Sequence, residues 1–506
     1  MREKINSIES LKKIIAKLKT KGKKIVLCHG VFDLLHVGHI NHFQESKKYA
    51  DILVVSVTSD SFVNKGPNRP AFDEQNRLKA LASLQAIDYV VLSKFPTAVP
   101  IIKEIKPNFY SKGQDYKFYQ DITGEIKNEI NALKKVNGKM IYTKGEVFSS
   151  SNLINKFSEV HSTQHKDMIE KIKKKYSFKK IKKLIEKFKK LKVLVIGETI
   201  IDQYIFCEAI GKSGKEPVLA LKDIKNEQYL GGAAAVCRHI SAFCKKISLL
   251  SMVGEKKEYI SDIKKGLPKN VNFKYIRKKN SPTIVKKRFL DNLNNNKVLG
   301  VYSINDDLLT NEDEKKFNKI LKKLLLSHDL IITSDYGHGL ISETSAQIIS
   351  KYSKYLALNA QINASNIGYH SMRNYKNIDC VIINENEIKH ELRDKNSNIV
   401  TLMKKLSKLQ NINNLVVTRG MLGALLYNKN KNKIIKCEAF AKTVIDKVGA
   451  GDAMLAIIAL FFKTGFTKEL SLLIGSLAAA QSVETSGNKE AVNKTKILKA
   501  LQHLLV

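Results

Sequence analysis

A short apolar run, Ile25 to Cys28, leads through Gly30 and Phe32 into His36-Val37-Gly38-His39, and Ile40 to Tyr49 then repeats apolar residues at helical spacing. The run reads as a central parallel strand and the repeat as the helix that follows it. The His-x-Gly-His turn therefore sits at a helix N-terminus, where free backbone N–H groups and the positive end of the dipole attract anions. Gly38 lets a phosphate approach the backbone closely. His36 and His39 add donors aimed at charge developing on a transferring phosphoryl group.

Three further segments follow in order: Lys65-Gly66-Pro67-Asn68-Arg69-Pro70 with Arg77, then Tyr110 to Tyr116 containing Lys112 and Asp115, then Ser149-Ser150-Ser151-Asn152-Leu153-Ile154. With them the chain resembles the nucleotidyltransferases marked by His-x-Gly-His, in particular the cytidylyltransferase-like domain of ADP-heptose synthases. The resemblance implies that His36 and His39 are catalytic and stabilise a pentavalent α-phosphate. It places nucleotide or phosphate contacts at Gly30, Phe32, Gly38, Lys65, Arg77, Lys112, Ser149, Ser150 and Ser151. For Arg77 and Asp115 a structural ion pair is the competing reading, and for the serines plain helix capping.

A length of 506 residues is too great for one ordinary core and predicts two or three domains. With 43% hydrophobic residues the chain is globular. No apolar run of membrane-spanning length appears, and the lysine-rich start has no signal-peptide core, so a cytoplasmic protein is expected. Six scattered cysteines without a Cys-x-x-Cys fit reduced thiols rather than disulfides or zinc. The net charge of +39 would suit a nucleic-acid binder, but the lysines are spread over almost every polar helix face and no RNA-binding motif is present. The partners expected are sugar phosphates and nucleoside triphosphates, with no nucleic acid and no membrane span.

The rhythm of short apolar runs (Ile25–Cys28, Ile52–Val57, Tyr89–Leu92, Phe109–Tyr110, Met140–Tyr142) predicts a doubly wound parallel sheet over residues 1–160. A lysine-dense amphipathic stretch within 161–189 reads as a helical linker. The run Val193-Leu194-Val195-Ile196-Gly197 then opens a second α/β domain over 190–506. Near its end Asp446-Lys447-Val448-Gly449-Ala450-Gly451-Asp452 precedes an apolar helix, a small-residue anion hole with Asp452 placed to take a proton from a sugar hydroxyl.

This second domain resembles the PfkB/ribokinase carbohydrate kinases, a fold with a small β-lid that often pairs with another subunit, so a homo-oligomer fits. The resemblance implies catalysis by Asp452, with phosphate held at Gly449, Ala450 and Gly451. Sugar contacts fall at Asp202, Gly231, Gly232 and Asp446. Nucleotide-side contacts fall at Asn384, Glu387, Thr418 and Gly420, with Glu387 reaching magnesium through water. Mg²⁺ should serve both sites. The chain departs from the heptose kinases at Glu198 (usually Asp), Ala235 (usually a sugar-binding Asn), His338 (usually Lys) and Asn359 (usually the Asp of Asp-Pro-Lys). Losing a polar ligand can change specificity strongly, so the sugar is left open.

Together the domains imply phosphorylation of an anomeric hydroxyl by ATP, then condensation of the sugar 1-phosphate with ATP or CTP and release of pyrophosphate. In the resembling bifunctional enzymes the kinase usually comes first; here the transferase does. The competing reading is a working transferase joined to a degenerate kinase-like domain that binds sugar or mediates assembly.

Overall fold

The computed structural model describes residues 4–63, 69–113, 125–143, 163–363, 365–441 and 444–505. The chain divides into two compact units, Met1–Ile169 with Thr495–Val506, and Glu170–Lys494.

In the first unit six parallel strands form one sheet: β1 (Ile5–Asn6), β2 (Ile25–Gly30), β3 (Ile52–Thr58), β4 (Tyr89–Ser93), β5 (Phe109–Gly113) and β6 (Lys139–Thr143). Their order is β1-β4-β3-β2-β5-β6. β2 to β6 fall where the apolar runs predict them; β1, two residues long, leaves no pattern to read. One face of the sheet is covered by Leu11, Ile15, Ile101 and Ile102, the other by Phe43, Leu78 and Leu81, all buried. The chain leaves β2 toward β3 on one side and returns to β5 on the other. That reversal opens a crevice beyond the carboxyl end of β2, where ligands of such sheets bind.

The second unit contains β7 (Lys192–Gly197), β8 (Thr199–Lys212), β9 (Leu219–Gly232), β10 (Lys246–Gly254), β11 (Val271–Lys278), β12 (Val285–Asp291), β13 (Lys297–Ser303), β14 (Leu330–Asp335), β15 (Leu356–Ala360), β16 (Cys380–Asn384), β17 (Asn414–Thr418), β18 (Ala424–Asn428) and β19 (Lys433–Cys437). Nine of them form a sheet ordered β11-β10-β7-β14-β15-β16-β17-β18-β19, in which every pairing is parallel except the last two, β17 with β18 and β18 with β19. The other four form a smaller sheet, β13-β12-β8-β9. The helix Ala450–Lys463 is apolar on all sides and buried from Ala453 to Phe462, as expected of a helix running through a core.

The lysine-dense stretch differs from the expected linker. It forms helices Thr163–Lys175 and Phe178–Ile185 and a 3₁₀ turn to Lys190. Ile172, Ile181, Ile185 and Phe188 are buried, and Phe188 meets Phe461 edge-on at 4.9 Å. Its apolar stripe is a packing face, so from Glu170 onward it is part of the second unit.

Candidate active sites

In the first unit the helix Val37–Lys47 begins at His36, whose extended backbone (φ −143°, ψ 170°) makes it the N-cap. This puts His36 and His39 on one face with their rings stacked, centroids 3.9 Å apart. Phe32, at φ +49°, turns its ring back toward β2. It meets His39 edge-on at 5.5 Å, and a Cβ at Gly30 would lie 3.1 Å from that ring. Glycine at 30 thus lets Phe32 buttress His39. Gly38 lies in the first turn of the helix.

Two flanking histidines escaped the sequence reading. His29 lies between Ser56 Oγ (3.1 Å) and Thr58 Oγ1 (3.4 Å), and His42 Nδ1 is 2.7 Å from Thr143 Oγ1. Burial, with the Lys112 charge adding, pushes their pKa values down to about 3 and about 4. Both are neutral at physiological pH.

Arg77 and Lys112 have structural partners where phosphate contacts were expected. Arg77 is 1% exposed, and its guanidinium donates to the carbonyls of Phe72 (3.0 Å), Val31 (2.6 Å) and Thr58 (2.9 Å) and to Asp60 Oδ1 (2.5 Å). It ties together the loops after β2 and β3, which corrects its assignment to direct phosphate contact: the ion-pair reading describes it. Lys112 pairs with the buried Glu129 at 3.2 Å. Lys65, Asp115 and Ser149 to Ser151 lie outside the described residues.

In the second unit Gly449 caps the helix Ala450–Lys463 at φ +88°, and a Cβ there would collide with Asn488. Gly451 has open space beside it. Asp452, in the first turn, accepts from the Tyr336 hydroxyl at both carboxylate oxygens, 2.8 and 2.9 Å. Burial, reinforced by the charge of Asp202, pushes its pKa up to about 7 against the opposing effects of Tyr336 and Lys286. Such a carboxylate can exchange a proton near neutral pH.

Asp202 sits on β8 and accepts from Arg288 at 2.5 Å. A Cβ at Gly231 would overlap Asp202 Oδ2, and one at Gly232 (φ +60°) would strike the Glu198 carbonyl. Both glycines are therefore required for the backbone to pass closely, Gly231 by the Asp202 carboxylate and Gly232 by the Glu198 carbonyl. Lys286, two residues before Arg288 on β12, is buried, with its ammonium between the rings of Tyr302 and Tyr336 at 5.8 and 5.7 Å. The sequence reading missed Tyr336, Lys286 and Arg288 as neighbours of Asp202 and Asp452. The period-2 pairing of Lys286 with Arg288 on one strand face was the available signal.

Asp446, expected at the sugar, is engaged elsewhere. It accepts from the Tyr204 hydroxyl (2.8 Å), Lys297 (2.6 Å) and the backbone N–H groups of Val448 (3.1 Å) and Gly487 (3.0 Å). This carboxylate shapes the signature turn, and its contacts correct the sugar assignment.

Asn384 and Glu387 form a reciprocal capping box at the helix Glu385–Leu392. Burial raises the Glu387 pKa to about 7, with the Asp452 charge adding. Thr418 ends β17, and Gly420 (φ +57°) opens a turn whose Met421 is 89% exposed.

The divergent positions also have defined surroundings. Ala235 is 0% exposed, so it presents no surface to a ligand. Glu198, its carboxyl raised by burial and by Asp335, accepts from the N–H groups of Tyr336 and His338. His338 is fully buried and pairs with Asp306 at 2.7 Å. Asn359 donates to the Ile382 carbonyl, bridging β15 to β16. Among the described residues no group of three or more His, Cys, Asp or Glu is placed to hold a metal ion, and no helix is long and apolar enough to cross a membrane.

Residues 190–495 match the family profile of pfkB family carbohydrate kinases, and residues 27–157 match the cytidylyltransferase-like profile. The chain is 40% identical over 137 residues to a protein named bifunctional protein HldE from Aliarcobacter butzleri, 27% of this chain and 29% of that one. It is 45% identical over 115 residues to the HldE of Geobacter metallireducens, 22% of this chain and 24% of that one. These stretches span less than a third of either relative's length. Among solved structures, phosphofructokinase-2 from Escherichia coli superposes with a TM-score of 0.51 at 16% identity, covering 62% of this chain and 99% of that one. At that identity the likeness shows the fold.

Proposed function

Because this chain belongs to the pfkB family of carbohydrate kinases and carries a cytidylyltransferase-like domain ahead of the kinase, we propose that it makes a nucleotide-activated sugar in two steps. ATP first phosphorylates the anomeric hydroxyl of a heptose 7-phosphate-like sugar. Asp452 takes the hydroxyl proton, the sugar oxygen attacks the γ-phosphorus, and ADP leaves. The sugar 1-phosphate then attacks the α-phosphorus of ATP or CTP at His36 and His39, and pyrophosphate leaves. The name of the HldE relatives supports the bifunctional reading.

The observation that carries this reading is Asp452, a carboxylate poised at about pH 7 in the first turn of a helix whose glycine-lined N-terminus can hold the transferred phosphate. Mg²⁺ would arrive with the triphosphate and neutralise its charge. Glu387 fits a water-mediated contact to it, since a carboxylate offers roughly four acceptor sites and its bonds to the backbone of Asn384 and Ile362 leave part of that capacity open.

The second copy expected at the lid is supported by exposed apolar residues on the small sheet, with Ile210, Leu219, Leu299 and Val301 between 47% and 70% exposed. Sedimentation would test it, a monomer counting against it. The two-step reading is tested with purified protein, ATP or CTP, and a panel of sugars and sugar phosphates. Pyrophosphate release and product mass are followed. Pyrophosphate released only when a sugar 1-phosphate is supplied, with no sugar phosphorylated, would overturn the kinase half.

A further inference from the structure

Tyr336 is held from several sides. Its backbone N–H donates to Glu198 Oε2 at 3.0 Å, and its carbonyl accepts from the side-chain amides of Asn363 (2.9 Å) and Asn366 (2.8 Å). The ring lies under the Lys286 ammonium at 5.7 Å, and the residue is 4% exposed. What this scaffold delivers is a hydroxyl 2.8 and 2.9 Å from the two oxygens of Asp452.

One O–H shared between both carboxylate oxygens fixes the carboxylate plane and leaves the outward lone pairs for a substrate. A general base acts only when it lies within hydrogen-bond reach of the proton it removes. Such groups are held in place by neighbours that are themselves locked. One of the positions that set this chain apart takes part in the lock: Glu198 stands where the resembling kinases have aspartate.

We propose that Tyr336 is a positioning residue of the kinase, its hydroxyl orienting the Asp452 carboxylate to receive the sugar's proton, with Glu198, Asn363 and Asn366 holding the tyrosine backbone in register. The inference rests on Asp452 being the base. The hydroxyl also favours the ionised carboxylate, because a donor to the charged form stabilises it. The other groups facing Asp452 are Asp202 from β8, Lys286 from β12 and Glu387 from the helix Glu385–Leu392. None of these changes in a Tyr336→Phe variant, so the hydroxyl's contribution can be read in isolation.

The test uses the full-length protein and the sugar of highest turnover from the panel. Tyr336→Phe keeps the ring and its stacking but removes the donor. Its kcat should fall by roughly 10- to 100-fold, in the range of other losses of an orienting hydrogen bond, while the sugar KM stays within about twofold. The acid limb of kcat/KM should move to higher pH, so that the deficit shrinks as pH rises. A tyrosine that only fills space would lower activity by the same factor at every pH, and that result overturns the proposal.

Incorporating 3-fluorotyrosine at position 336 preserves shape and strengthens the donor. The acid limb should then move to lower pH, and an unmoved limb also overturns the proposal. Asp452→Asn separates the two readings. If that variant keeps parent turnover, the base assignment fails. If it is inactive while Tyr336→Phe matches the parent, only the positioning role fails.

Discussion

Both units place a helix N-terminus where phosphate chemistry is expected, yet burial acts in opposite directions at the two turns. Around His36 and His39 it works on bases: His29 and His42 are driven to about 3 and about 4 and stay uncharged. Around Gly449 to Gly451 it works on acids: Asp452 and Glu387 are raised to about 7. Desolvation disfavours whichever form is charged, so one environment silences titration at neutral pH and the other brings it there. A transferase that attacks with an already ionised phosphate needs donors, whereas a kinase acting on a sugar hydroxyl needs a base that can accept and release a proton.

The contrast is open to attack at several points. Asp452→Asn should reduce sugar phosphorylation by roughly 10²- to 10⁴-fold, the usual contribution of a general base, with sugar binding largely kept and nucleotidyl transfer unchanged; separate assays of the two half-reactions check it. His39→Ala should cost about 10²- to 10³-fold in nucleotidyl transfer, as loss of a donor to transition-state charge does, while sugar phosphorylation holds. Loss of both activities in a folded variant would contradict two independent sites.

A gentler probe is pH. The proposed mechanism requires Asp452 to be ionised, and its pKa of about 7 lies above the ordinary carboxyl range. Kinase kcat/KM should therefore fall about tenfold per unit as pH drops below 7, as expected for a protonated base. His29 and His42, neutral throughout that window, should add no limb to the transferase profile between pH 5 and 8.

The smallest effect expected is at Ala235. A larger side chain at this fully buried site should destabilise the kinase unit by about 1–3 kcal/mol, the usual cost of overpacking. Thermal denaturation of Ala235→Asn measures it. A parent-like melting temperature together with a changed sugar preference would instead return this position to the ligand pocket.

Much of this architecture was legible before any coordinates. The strands β2 to β6 follow from runs of two to six mostly apolar residues, because a buried parallel strand must be apolar on both faces. The Gly-Ala-Gly-Asp turn was legible for a similar reason, since its small residues are dictated by backbone geometry within one turn. The lysine-dense stretch was misread because periodicity shows that a helix has an apolar face without showing what covers it. Arg77 and Asp446 have the residue types of ligand-binding groups, and only their neighbours distinguish a ligand contact from a strut.

What the sequence by itself determined is the content of short windows: two α/β units, their order, and the glycines and histidines at the two helix starts. What only the tertiary structure decided is which distant groups share a volume. Asp452 meets Tyr336 across 116 positions, and Asp202 meets Arg288 across 86. Charge, desolvation and hydrogen bonding act over a few ångströms, and no local pattern encodes a distance between strands that have yet to pair.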